Sequence, residues 1–173
     1  MGEGGEAMVQ ILVHNEAEIL NVATLLLLLA AVWKGGGPER ACAATLFGMV
    51  VVDRSYHALF GPSPTYDLID PWHLLLDTGG LVALVLIALR ANRFFPMILA
   101  AAQLVAFSAH LVRMTVEPVT SLSYYLLYTM PFWFQLLVMT IGIARHAYRT
   151  SRFGPYRDWR PLNGGSDHGL GAA

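Results

Sequence analysis

Five long runs of apolar residues, separated by short polar segments, constrain the fold of this chain more than any other feature. The runs lack the period of two that is typical of a half-buried strand, and a helix needs about 20 such residues to cross a bilayer. They cover approximately residues 18–33, 41–60, 72–89, 94–112 and 122–146. The chain is 55% hydrophobic and only 13% charged, which is too apolar for an ordinary soluble domain. We therefore predict an all-α integral membrane bundle of five transmembrane helices.

Short segments rich in helix-breaking residues separate the runs. They read "KGGGPER", "GPSPTYDLIDP", "RANR" and "TVEPVTS" along the chain. We predict a flexible leader over residues 1–8 and a transmembrane domain over residues 9–149. The segment 150–173 is rich in Gly, Pro and Arg, which predicts a partly disordered tail.

The basic residues give the bundle an orientation. If the five spans alternate in direction, nine of the 11 basic residues fall on one side, and only Arg54 and Arg113 fall on the other. The nine are Lys34, Arg40, Arg90, Arg93, Arg145, Arg149, Arg152, Arg157 and Arg160. Cytoplasmic flanks accumulate Lys and Arg, so we predict an external N-terminus, a cytoplasmic C-terminus and a bacterial inner membrane location. The expected partners are lipids and either further copies of the chain or other membrane subunits, and no nucleic acid.

Polar side chains collect at the predicted outer ends of the helices. His57 lies just before the outer end of the second helix, His73 just after the outer start of the third, and His110 just before the outer end of the fourth. Asp53 and Asp77 each lie four residues from a histidine and one turn deeper, which places each pair on one helical face. Ionisable groups inside a membrane are costly and usually face a partner or a cavity, so this depth indicates a functional site.

These residue types suit a transition metal. Asp53 and His57 offer a carboxylate oxygen and an imidazole from one helical face, and His73 can approach from the next helix across the loop. Two imidazoles and one carboxylate fit copper, iron or zinc, with positions left open for water or substrate. We predict Asp53, His57 and His73 as ligands, followed by His110 and Asp77. Residues predicted to support the site or to form ion pairs are Arg54, Arg113 and Glu117, and further outer-face candidates are His14, Glu16, Glu18 and Asn21.

The motifs D-x-S-Y-H and D-x-x-D-P-x-H lie on either side of the outer loop, between Asp53 and Asp77. In this order they resemble a segment of the C subunit of copper membrane monooxygenases, the particulate methane and ammonia monooxygenases. That family holds a metal near the outer face with an aspartate, a histidine four residues later and a second histidine after a short loop. The resemblance implies Asp53, His57 and His73 as ligands and copper as the metal. It covers this segment alone, and the loop here is longer than the family's.

Two other interpretations use the same sequence. Either His57 or His73, paired with His110, can be the axial ligands of a b-type haem, with Arg54 and Arg113 near its propionates. Alternatively the chain is an accessory or anchor subunit of a larger membrane complex and holds no cofactor. If the chain is an enzyme, a copper or iron centre acting on a small apolar molecule from the bilayer fits the predicted depth. The sequence leaves these alternatives open.

Overall fold

The computed structural model describes residues 3–61, 71–115 and 121–161, and within these it describes the side chains of residues 18–61, 71–112, 127 and 129–161. Five α-helices account for nearly all of the described residues. They are α1 (Glu3–Lys34), α2 (Gly37–Phe60), α3 (Pro71–Arg90), α4 (Phe95–Thr115) and α5 (Ser121–Phe153). The described residues contain no extended strand, so the predicted all-α class is confirmed. Within this described part of the chain, two helical segments, Pro71–Arg90 and Phe95–Val112, are long and apolar enough to cross a membrane.

The first and last helices are longer than the apolar runs that predicted them. α1 begins at Glu3, inside the segment predicted as a leader, which reads EGGEAM over residues 3–8 and contains no proline to end the helix. α5 continues to Phe153, beyond the predicted end of the domain at residue 149. Pro131 lies inside α5 without ending the helix.

Helices that follow one another along the chain pack side by side, and α5 closes the bundle by packing on α4, α1 and α2. The core between them is small and apolar. Its fully buried members include Leu46, Leu84, Leu99 and Met139. Many large apolar side chains instead point outward on every helix, among them Leu26, Val51, Leu86, Val105 and Leu137.

The segment after α5 packs over the end of the bundle where α2 begins and α3 ends, which is the end that carries most of the basic residues. The backbone N–H of Asn92 donates to the carbonyl oxygen of Asp158 at 3.0 Å, and that of Arg160 donates to the carbonyl oxygen of Arg90 at 2.8 Å. The backbone N–H of Gly37 donates to Asp158 Oδ2 at 2.7 Å. A side chain at position 37 would collide with the Trp159 indole, so glycine is required for this close approach. Residues 154–161 of the predicted tail therefore pack on the helix ends.

A buried charge cluster lies beneath this segment. Arg93 precedes α4 and donates hydrogen bonds to Glu39, Asp158 and His146. Only 7% of the Arg93 side chain and 1% of the Glu39 side chain are exposed. The Arg93 guanidinium and the Arg149 guanidinium also lie over the Tyr156 ring, 4.6 Å and 4.1 Å from its centroid. The cluster therefore joins the starts of α2 and α4 to the end of α5 and to the segment after it.

Candidate metal centre

The last turns of α2 and the first turn of α3 bring three polar side chains together. Asp53 and His57 are one turn apart on α2, and His73 follows the proline that begins α3. Asp53 Oδ1 lies 3.1 Å from His73 Nε2 and 3.4 Å from His57 Nε2. The two imidazole Nε2 atoms are 3.5 Å apart. Among the described residues, Asp53, His57 and His73 form the group whose geometry can hold a metal ion.

The three distances agree with the geometry of a bound metal ion. Tetrahedral ligands at about 2.0–2.1 Å from a metal are separated from one another by about 3.3–3.4 Å. The observed separations of 3.1, 3.4 and 3.5 Å lie close to this value. An ion placed against this triangle would have three protein ligands and at least one open position.

Hydrogen bonding prepares His57 for this role. His57 Nδ1 lies 3.1 Å from the carbonyl oxygen of Gly61. A carbonyl oxygen only accepts, so Nδ1 donates, and in the neutral ring this leaves Nε2 with its lone pair directed at the triangle. Gly61 ends α2 with φ +86°, a conformation that favours glycine, and its own N–H donates to the His57 carbonyl oxygen at 3.0 Å. The helix terminus thus selects the tautomer that can bind a metal.

The carboxylate atom in the triangle lacks an ordinary partner. Asp53 Oδ1 is buried, and in the described part of the chain no hydrogen bond of normal geometry reaches it. It nevertheless lies within ion-pair distance of both imidazoles. A buried carboxylate oxygen needs a compensating positive charge, which either a protonated imidazole or a bound cation supplies. The arrangement is therefore compatible with a cation at the centre.

Aromatic rings hold the two helices in register beside the triangle. The Tyr56 and Trp72 rings stack with centroids 4.2 Å apart, joining α2 to α3. Tyr56 also meets His57 edge-on at 5.4 Å and Phe60 at 4.9 Å. The His57 imidazole therefore rests against a packed aromatic surface, which restricts its rotation.

Asp77 and His110, predicted as further ligands, form a separate buried network. His110 Nε2 lies 2.8 Å from Asp77 Oδ2, and Gln103 Nε2 donates to Asp77 Oδ1 at 2.9 Å. Gln135 Nε2 donates to Gln103 Oε1 at 2.9 Å and to the carbonyl oxygen of Leu99 at 3.0 Å. Both oxygens of Asp77 are therefore engaged between α3 and α4, and the network continues to α5.

Replacing Asp77 with alanine is expected to destabilise the bundle and to leave metal binding intact. The change leaves buried donors of Gln103 and His110 without their acceptor, at about 1–3 kcal/mol each. Reversible unfolding in mixed micelles measures the loss, and metal analysis of the same sample measures the site. Asp77→Asn, which keeps one acceptor, is expected to lose less stability. Loss of metal in a folded Asp77→Ala protein would instead make Asp77 a ligand.

The remaining predicted residues fall into two groups. Arg54 faces α1, with its Nε 3.4 Å from Asn21 Oδ1 and its NH2 group 4.0 Å from Glu18 Oε1. Both contacts lie at the bundle surface and link α1 to the helix that carries Asp53 and His57. The side chains of His14, Glu16 and Arg113, and the whole of Glu117, lie outside the described residues.

Sequence reasoning missed Gln103, the residue that joins Asp77 to Gln135. Its signal was a polar side chain in the middle of an apolar run, seven residues before His110 and so on the same face of α4. A carboxamide at this depth needs a partner, which here is a second carboxamide and a carboxylate.

The described residues form an all-helical fold with a His/Asp group able to hold a metal ion and with two helices that are long and apolar enough to cross a membrane. Comparisons with protein-family models, with curated proteins and with solved structures found no match.

Proposed function

We propose that this protein is a small polytopic membrane protein that binds one transition metal ion through Asp53, His57 and His73 near its outer face. The observation that carries the proposal is the triangle of Asp53 Oδ1, His57 Nε2 and His73 Nε2, whose sides of 3.1–3.5 Å suit a single ion. Copper is proposed first because two imidazoles with a carboxylate suit it. The order of the ligands also matches the monooxygenase segment that the sequence resembles.

The distribution of apolar surface supports a membrane location with five spans. Only 22% of the most apolar stretch of α3 and 44% of that of α4 are buried, which is less than the burial expected of an enclosed core helix in a soluble protein. Exposed apolar side chains continue on α1, α2 and α5. A soluble monomer rarely exposes apolar patches of this extent, whereas lipid covers them without cost. The N-terminus is proposed to lie outside and the basic end in the bacterial cytoplasm.

The same geometry favours an ion over a b-type haem. The haem interpretation pairs His110 with either His57 or His73. His110 Nε2 lies 2.8 Å from Asp77 Oδ2, so its ring is engaged in the buried network and not at the triangle.

Metal analysis of the purified protein tests the proposal. Protein in detergent micelles is stripped with a chelator, reloaded separately with Cu²⁺ and Zn²⁺, and separated from free metal before the bound metal is counted. We expect one ion per chain and an optical spectrum without a Soret band. A stoichiometric Soret band in the protein as purified would support the haem alternative. A chain that binds neither metal nor haem and retains other membrane subunits would be an accessory subunit, which contradicts the proposal.

A further inference from the structure

A groove of about 400 Å³ opens between α2 and α3 directly beneath the three proposed ligands. This volume lies within the range of small-molecule sites, about 300–1,000 Å³. Residues on both helices line it, among them Gly48, Met49, Val52, Trp72, Leu76 and Gly79. The lining is apolar, and the hydroxyl of Thr45, which also lines it, donates within its own helix to the carbonyl oxygen of Ala41 at 3.0 Å.

The groove lies next to the metal centre along both helices. Val52 and Trp72 in the groove wall are the immediate neighbours of Asp53 and His73. Met49 lies one turn below Asp53, on the same face of α2. Leu76 likewise lies one turn below His73 on α3. A molecule lying in the groove would therefore have one end at the metal and the other deeper in the bundle.

Glycines create the space. α2 and α3 touch where Met49 packs against Gly80, since a Cβ atom on Gly80 would lie 2.4 Å from Met49 Sδ. Gly48 and Gly79, by contrast, have no atom within 4 Å of where a Cβ would stand. The groove thus has a packed floor and an open mouth that side chains at positions 48 and 79 would fill.

The charge of the centre selects the polar end of the occupant. A divalent ion bound by one carboxylate and two neutral imidazoles keeps a net positive charge and an open position. An anionic oxygen ligand compensates that charge. We infer that the groove and the centre together bind a single-chain carboxylate amphiphile, with the carboxylate on the metal and the alkyl chain between α2 and α3. This inference rests on the proposed metal-binding function.

Cobalt-loaded protein in phosphatidylcholine nanodiscs provides the test, because the visible spectrum of Co²⁺ reports a change of ligand. Cobalt is counted first, and the protein is then titrated with dodecanoate or with acetate. We expect dodecanoate to change the spectrum at a concentration more than about tenfold below that of acetate, since burying each methylene adds to binding. Dodecyltrimethylammonium, which has the chain without the carboxylate, is expected to leave the spectrum unchanged.

The double variant Gly48→Leu, Gly79→Leu separates the groove from simple partitioning of dodecanoate into the bilayer. It should bind cobalt and respond to acetate as the wild type does, and it should lose the advantage of dodecanoate. Equal responses of the variant and the wild type to dodecanoate would overturn the inference. So would a changed oligomeric state of the variant in light scattering, which would assign the groove to a second copy. Failure to bind any of Co²⁺, Cu²⁺ and Zn²⁺ would overturn the proposed function as well, whereas bound cobalt without a chain effect would overturn only this inference.

Discussion

Replacing His73 with alanine is expected to lower the affinity for the transition metal by more than about 100-fold, because loss of a mere supporting partner of a metal ligand already costs about 10–100-fold. His73 is the ligand that α3 contributes, and its Nε2 lies 3.1 Å from Asp53 Oδ1 and 3.5 Å from His57 Nε2. Without it, the two remaining ligands lie on one helix. His57→Ala is expected to have an effect of similar size.

Competition of each purified variant with a chromophoric chelator measures the change in affinity. Arg54→Ala is the matched control, because Arg54 is next to Asp53 in the chain but contacts Asn21 and Glu18 on α1. It should bind metal as the wild type does. Asp53→Asn keeps an oxygen and loses the charge, so its affinity should fall between those of the wild type and His73→Ala. Unchanged affinity in His57→Ala and His73→Ala, with both proteins folded, would place the metal elsewhere.

The sequence predicted this group of ligands because two local rules determine it. A spacing of four residues on a helix places Asp53 beside His57. A short connection between antiparallel helices then returns the chain to the same level, where Pro71 starts α3 and His73 occupies its first turn. These rules need no knowledge of how the rest of the bundle packs, and the structure confirms that the three side chains meet.

The spacing and connection rules could not predict that Asp77 pairs with His110 and Gln103. Counting residues from the helix ends placed Asp77 and His110 near the same end of the bundle, but position along a helix does not give the rotation of α3 and α4 about their axes. That rotation decides whether Asp77 faces His73 or α4. The contacts of Gln103 with Asp77 and with Gln135 show which face of each helix is turned inward.

The buried charge cluster at the basic end went unpredicted for a different reason. Arg93 is one of the basic residues from which the orientation of the bundle was predicted. A basic residue at the cytoplasmic end of a membrane helix needs no acidic partner to account for its presence, so no ion pair was predicted. The available signal lay in the acids: Glu39 and Asp158 are two of the few acidic residues on the basic side of the chain. An isolated acid in such a position indicates an ion pair. Sequence reasoning had instead placed Glu39 in a loop and Asp158 in a tail outside the bundle.

Replacing Arg93 with alanine is expected to destabilise the protein by about 3–5 kcal/mol, the usual cost of leaving a buried charge without its partner. The charge left without its partner is that of Glu39, whose side chain is only 1% exposed. Among the described contacts, the hydrogen bond that remains to the Glu39 carboxylate is the one from the backbone N–H of Gly36. Asp158 loses the same guanidinium, so residues 154–161 should leave the helix ends. Reversible unfolding in mixed micelles measures the first effect, and trypsin cleavage after Arg157 measures the second.

Arg90 provides the matched control for this variant. It is exposed in the same region, and it meets the segment after α5 through its carbonyl oxygen, which alanine retains. Arg90→Ala should therefore change stability by no more than about 0.5 kcal/mol. Adding Glu39→Gln to Arg93→Ala removes the unpaired buried charge and should recover part of the lost stability. The effects of substitutions within one ion-pair network on the free energy of unfolding are not additive. If Arg93→Ala is as stable as Arg90→Ala and resists trypsin equally, the cluster is solvated and does not hold the segment after α5 against the bundle.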